Sequence, residues 1–251
     1  MTRAIRAVLV FAALALAPVL AHAGEPVDLL LVLASDVSRS IDQPKFQLQR
    51  DGYAAAMANP RVLEAIASGQ NHRIAICFVE WSGQSSQKVV IDWTLIGGAD
   101  TARQFADQLL EAPRSFADRT SISAGIDFAR AQFDRAPFDS KRRTIDVSGD
   151  GTNNSGRDVI EARDEALAKG ITINGLVILS ERPLPWNPEH TNPPGGLAKY
   201  YQDNVVGGPG AFVMVAENFN SFGQAITNKL IAEIAQGPRD FNLASVAPAA
   251  R

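Results

Sequence analysis

Three short oxygen-rich runs hold the residues best able to do chemistry in this chain. The first, Asp36-Val37-Ser38-Arg39-Ser40, sets one carboxylate and two hydroxyls at alternate positions. The second, Asp118-Arg119-Thr120-Ser121, stands directly ahead of a helical pattern. The third, Ser148-Gly149-Asp150-Gly151-Thr152-Asn153-Asn154, is a Gly/Asn-rich turn after a strand. Taken singly, Thr120 reads as a helix cap or its neighbour, and Asp150 as a turn former that bonds its own backbone. Taken together, Asp36, Ser38, Ser40, Thr120 and Asp150 offer two carboxylates and three hydroxyls. Hard divalent cations take oxygen ligands, and Mg2+ keeps part of its water while accepting one or two carboxylates. An all-oxygen, mostly neutral set of this kind favours Mg2+, with Mn2+ and Ca2+ as the alternatives.

The elements that must position these runs alternate between two periodicities. Strand patterns fall at 28–35, 73–81, 88–94, 143–148, 171–179 and 211–215, and helical patterns at 43–58, 100–111, 122–134, 157–169 and 219–235. In the first helix Phe46, Tyr53, Ala54 and Met57 share one face, Asp42 suits the N-cap and Pro44 the first turn. Gly170 suits the position just past the fourth helix. Alternating β and α units predict an α/β fold: a doubly wound, mostly parallel sheet with helices on both faces. The residues between Trp81 and Lys88 are too few for a crossover helix, so 88–94 is expected as an antiparallel edge strand. In such sheets ligands bind at the carboxyl ends of the strands, where all three runs would lie.

Other residues are weighed against simpler roles. Cys77 lies in an apolar run and reads as a buried small residue. Glu80 reads as an edge carboxylate facing water rather than a ligand. Asp146, on an unusually polar central strand, must find a buried partner. His72 and His190 are far apart in sequence, which argues against a histidine zinc site. Residues 180–196 read as a long Pro-rich surface loop, where Trp186 is either a partner-binding anchor or a small satellite core.

Composition bounds the function. Arg3 and Arg6, the apolar run Ala7 to Leu20 and Ala21-His22-Ala23 form a signal-peptide pattern over residues 1–23, so the mature domain is expected at 24–236 with an Ala/Pro-rich tail at 237–251. The apolar run is too short to span a bilayer, and the product is expected to be exported, periplasmic or secreted, without stable membrane insertion. The net charge of −3 becomes more acidic once Arg3 and Arg6 are removed, which argues against a nucleic-acid partner. A single cysteine cannot form an internal disulfide. Nothing in the sequence sets an oligomeric state.

Asp36, Ser38, Ser40, Ile41 and Phe46, with Thr120 ahead of its helix and Asp150-Gly151 after a strand, give the chain a resemblance to the von Willebrand factor type A domain, in particular its exported bacterial branch. The resemblance covers roughly residues 27–236. It implies the sheet order 3-2-1-4-5-6 and a metal-ion-dependent adhesion site. There Ser38 and Ser40 would be direct ligands, Thr120 direct or through water, and Asp36 and Asp150 often through water. A carboxylate from a protein partner would complete the shell. The chain departs from the family pattern at Gly149, where Thr or Ser is usual.

The implied function is a metal-dependent protein–protein interaction module, not an enzyme. A phosphatase of the haloacid dehalogenase type, with Asp36 as nucleophile, is the alternative. That chemistry needs an acid two residues on, where this chain has Ser38. A serine hydrolase built on Asp36, His72 and a later Ser lacks a G-x-S-x-G elbow, and no P-loop occurs.

Overall fold

The computed structural model of the chain describes residues 24–180 and 183–235. The expected signal segment, 1–23, and the tail, 237–251, lie outside the described residues. In chain order the elements are β1 (Glu25–Pro26), β2 (Leu30–Asp36), α1 (Gln43–Met57), α2 (Pro60–Ala67), β3 (Ile74–Trp81), β4 (Gln87–Ile96), α3 (Ala99–Glu111), α4 (Ile122–Gln132), β5 (Phe138–Asp139) and β6 (Arg143–Gly149). They continue with α5 (Val159–Ala168), β7 (Thr172–Ile178), α6 (Pro188–Thr191), α7 (Leu197–Asn204), β8 (Val213–Ala216) and α8 (Phe222–Ala235).

Six strands form one sheet in the order β4-β3-β2-β6-β7-β8, which is 3-2-1-4-5-6 when those six are counted along the chain. β3 and β4 run antiparallel, and every other neighbouring pair is parallel. The hairpin argument therefore holds, with β4 as the edge strand. β1 and β5 make a separate two-stranded parallel pair. Among the described residues no helix is long and apolar enough to cross a membrane.

β2 is buried along its whole length, as a central parallel strand must be. Its side chains alternate between two cores with the strand period of two. Leu31 and Leu33 pack with Phe46 and Tyr53 of α1, Phe105 of α3 and Phe222 and Ile226 of α8. Leu30, Val32 and Ala34 face the other way, towards Ile122 and Ile126 of α4, Ala162 and Ala166 of α5, and Leu197 and Tyr201 of α7. Cys77 belongs to this second core, and burial pushes its thiol up to about 12, so it stays a protonated packing residue. Asp42 caps α1 by accepting from the Lys45 amide at 3.0 Å, with Pro44 in the first turn. Gly170 adopts φ +73°, just past the end of α5.

Three helices go beyond the expected pattern. α2 is only eight residues long, too short for a clear period. It is announced by Asn59, which accepts from the Arg61 amide at 2.9 Å, and by Pro60 at its start. α7 follows the Pro-rich segment, and α6 forms a single turn within it. Among the described residues, ion pairs with both partners buried form in two places. Arg50 of α1 pairs with Glu80 of β3, and both are almost fully buried, so Glu80 does not face water as expected. Asp146 of β6 finds its partner in Lys229 of α8, 2.8 Å away, which also meets Glu233 at 2.5 Å.

Candidate metal centre

β2 ends at Asp36 directly beside Trp81, the last residue of β3, and the chain then turns across the carboxyl edge of the sheet. Three loops meet at that edge and are laced together by their backbones. The Val37 amide donates to Trp81 O, the Arg39 amide to Asp118 O and the Ser121 amide to Ser82 O, at 2.9, 2.9 and 2.7 Å. The Arg114 guanidinium bonds the carbonyls of Val37 and Ser38 at 2.7 and 2.9 Å, tying the second loop to the first. The third loop joins the second through Asn154, whose amide donates to Thr120 O and whose side chain accepts from the Thr120 amide at 3.0 Å. Ser121, not Thr120, caps α4, accepting from the Ala124 amide at 3.3 Å. The Thr120 hydroxyl is thereby spared from capping.

The side chains converge. Asp36 Oδ1 accepts from the Ser38 amide at 2.7 Å, leaving Oδ2 pointing elsewhere. Ser38 and Ser40 hydroxyls lie 3.1 Å apart, and the Ser40 hydroxyl donates to Asp150 Oδ1 at 2.5 Å. Asp36 and Asp150 are fully buried, and Ser38, Ser40 and Thr120 nearly so. The outer oxygens of both carboxylates, Asp36 Oδ2 and Asp150 Oδ2, have no hydrogen-bond partner, although Lys45 approaches the latter to 3.8 Å. Burial, then the charge of Asp150, pushes the Asp36 carboxyl up to about 8, and burial raises Asp150 as well. Two buried, under-compensated carboxylates with free oxygens fit a divalent cation, whose charge would reverse both shifts. Among the described residues no group of three or more His, Cys, Asp and Glu is placed to hold an ion. A cation here would therefore rest on the two carboxylates and the hydroxyls, the donor set of Mg2+ rather than a histidine or thiolate site.

Thr120 makes no hydrogen bond to the Asp36, Ser38, Ser40 or Asp150 side chains but shares a cleft with Ser40. Ser40, Thr120, Arg39, Arg119, His190 and Trp186 line one open cleft of ≈ 140 Å3, room for a carboxylate side chain and a few waters. Trp186 is 76% exposed, which removes the satellite-core reading. His190, set aside in the sequence, is the residue that reading missed. It comes from α6, lies buried against Gly151 and places Nε2 3.2 Å from the Thr120 hydroxyl and Nδ1 3.3 Å from the Thr152 hydroxyl. A Cβ on Gly151 would stand 2.2 Å from the imidazole, so glycine is required there. Burial lowers the His190 pKa, keeping the ring neutral and able to accept. No short-range spacing announces this contact, because a Pro-rich loop brings His190 back over the sheet edge.

The opposite end of the sheet disposes of the hydrolase triad. His72 precedes β3, in a turn with φ +55°, and its Nδ1 lies 2.6 Å from Ala67 O. Asp36 is level with Trp81 at the far end of the same strand, about 25–30 Å away at the usual rise per residue.

Comparison with known proteins bears on the fold. A family model described as "Protein of unknown function (DUF1194)" matches residues 26–238. The chain belongs to that family. No curated protein matches its sequence. Among solved structures it is similar to proximal thread matrix protein 1 from the mussel byssus, in a form with a zinc-occupied MIDAS motif: TM-score 0.57, 16% identity, covering 84% of this chain and 49% of that one. It is also similar to the pilus adhesin SpaC of Lactobacillus rhamnosus GG, with TM-score 0.61, 11% identity and coverage of 84% and 31%. A von Willebrand factor type A protein from Catenulispora acidiphila gives TM-score 0.52, 12% identity and coverage of 83% and 43%. The DUF1194 chain thus has the von Willebrand factor type A fold, and it spans half or less of the length of each of these three proteins.

Proposed function

We propose that this DUF1194 protein is an exported, non-catalytic interaction module that captures a carboxylate of a protein partner through a divalent cation. The observation that carries the reading is the meeting of Asp36, Ser38, Ser40 and Asp150 at one buried point, with the outer oxygens of both carboxylates unpartnered. Ser38, Ser40 and Thr120 would supply neutral oxygens, and Asp36 and Asp150 the charge. When bound, the cation supplies an electrophilic position for an outside carboxylate. Mg2+ suits the donor set best, with Mn2+ and Ca2+ as alternatives. The zinc-occupied MIDAS of the mussel matrix protein and the adhesin identity of SpaC support an adhesive role.

The cleft beside the site gives the partner its further contacts. Arg39, Arg119 and Asp118 line it, with Arg39 3.9 Å from Asp118. Among the described residues of the cleft, Arg119 is the cation left to favour an acidic group, and exposed Trp186 offers an apolar anchor at the cleft wall. The module runs over residues 24–236, behind a cleaved signal segment at 1–23 and ahead of the tail at 237–251.

The test is affinity capture from exported extract with wild type and Asp36→Ala, with Mg2+ and with EDTA. Capture that needs both Mg2+ and Asp36 supports the proposal. Capture that survives EDTA unchanged contradicts it. Phosphate- or acyl-ester turnover lost in Asp36→Ala would replace it with an enzyme.

A further inference from the structure

The glycine that departs from the family pattern points to a residue nothing else marks. Tyr201, on α7, is fully buried at the same sheet edge, and its hydroxyl has no hydrogen-bond partner. A Cβ on Gly149 would stand 2.6 Å from Tyr201 Oη, 3.1 Å from Asp36 Oδ2 and 3.4 Å from Asp36 Cβ. The phenol oxygen and the free carboxylate oxygen therefore crowd the position that a side chain at residue 149 would take above the β6 backbone. Three buried oxygens without partners, Asp36 Oδ2, Asp150 Oδ2 and Tyr201 Oη, collect around this edge. Leaving a buried polar oxygen unpaired is costly, and Tyr201 Oη and Asp36 Oδ2, both unpartnered around the same Gly149 position, mark a place where something polar belongs.

We infer that the Tyr201 hydroxyl is part of the cation site, donating a hydrogen bond towards Asp36 Oδ2, directly or through a cation-bound water, and that residue 149 is glycine because the phenol occupies the space a side chain would fill. Tyr201 is then a positioning residue: it fixes the outer oxygen of Asp36, as hydrogen-bonding partners of metal-binding carboxylates generally do. The ring is anchored independently of this role, packed in the core on α7 beside Tyr200, with ring centroids 6.2 Å apart. The hydroxyl can thus be removed without disturbing the packing that holds the ring.

The inference rests on the proposed cation site, and one experiment separates the two. Mn2+ is titrated calorimetrically into the whole mature chain as wild type, Tyr201→Phe, Gly149→Ala and the double variant, with melting temperatures measured in EDTA. The expected result is an affinity about 10–100-fold weaker in Tyr201→Phe, the usual loss for an outer-sphere partner, with an unchanged or higher melting temperature in EDTA. Gly149→Ala, which keeps the ring but displaces the hydroxyl, should weaken binding in wild type and add little in the Tyr201→Phe background. Wild-type affinity in Tyr201→Phe, or fully additive losses in the double variant, would overturn the role of Tyr201 while leaving the cation site standing. No Mn2+ binding by wild type would remove the site itself and this inference with it.

Discussion

Asp36 and Asp150 set two carboxylates near each other in a fully buried place, where a positive charge between them would relieve the cost of burial. Each is buried, each is pushed up by that burial, and each keeps a free oxygen. Replacing Asp36 with Asn keeps an acceptor for the Ser38 amide and removes the charge. Asp36→Asn is therefore expected to melt in EDTA at or above the wild-type temperature, a gain of up to a few degrees by differential scanning calorimetry; a large loss would mean the carboxylate supports the fold. His190 behaves differently. Truncating it to Ala leaves the Thr120 and Thr152 hydroxyls short of a partner and opens space over Gly151, so a loss of about 1–3 kcal/mol is expected from urea unfolding. Asp36, Ser38 and Ser40 were legible from spacing because they lie on one turn. His190 and Tyr201 were not, since each reaches the site from an element far along the chain through contacts that no local pattern encodes.

At the scale of elements, the site depends on how the loop before α4 is held. The Arg50–Glu80 pair lies under that loop: Glu80 Oε2 accepts from the Ser115 amide at 2.8 Å, and Arg50 bonds Leu109 O at 3.2 Å. Arg114 then reaches the first loop, so β3, α1 and α3 together fix the stretch that carries Thr120. Removing one member of a buried ion pair costs about 3–5 kcal/mol. Glu80→Ala is expected to lower stability by that order in urea titration, and Glu80→Gln, which also leaves the Arg50 charge unpaired but keeps an acceptor for Ser115, by somewhat less; equal effects would mean the charge alone matters. The strand and long-helix pattern was readable because burial enforces a period of two or of 3.6. The eight-residue α2 and α7 offer barely two turns each, and their existence is decided by tertiary packing rather than by local sequence.

Among the described residues one six-stranded sheet lies between two apolar cores. Its mostly parallel character and its antiparallel edge follow from alternation and from the short connection between β3 and β4, while its strand order is implied by the resemblance to the von Willebrand factor type A domain. The least expected feature is the charge set into the first of those cores. Lys229 is flanked by Asp146 and Glu233, and Asn174 donates to Glu233 at 2.8 Å, so a single buried ammonium faces two carboxylates. Burial chiefly, offset by Lys229 and reinforced by Glu233, pushes the Asp146 carboxyl up from 3.8 to about 7. A carboxyl raised in the folded state contributes stability that is complete below about 4 and is lost as pH rises through about 7. The melting temperature of wild type relative to Asp146→Asn should therefore fall between pH 5 and pH 8. A flat difference would show that the carboxylate is ionised throughout that range.

The proposed cation site is tested most directly by a titration of Mg2+ followed by calorimetry. Wild type is expected to bind one ion per chain and to rise in melting temperature with concentration, by mass action on the folded state. Asp36→Asn and Asp150→Asn should lose that response while remaining folded. A wild-type chain that neither takes up Mg2+, Mn2+ or Ca2+ nor gains stability from them, or an Asp36→Asn chain that responds as wild type does, would contradict the account.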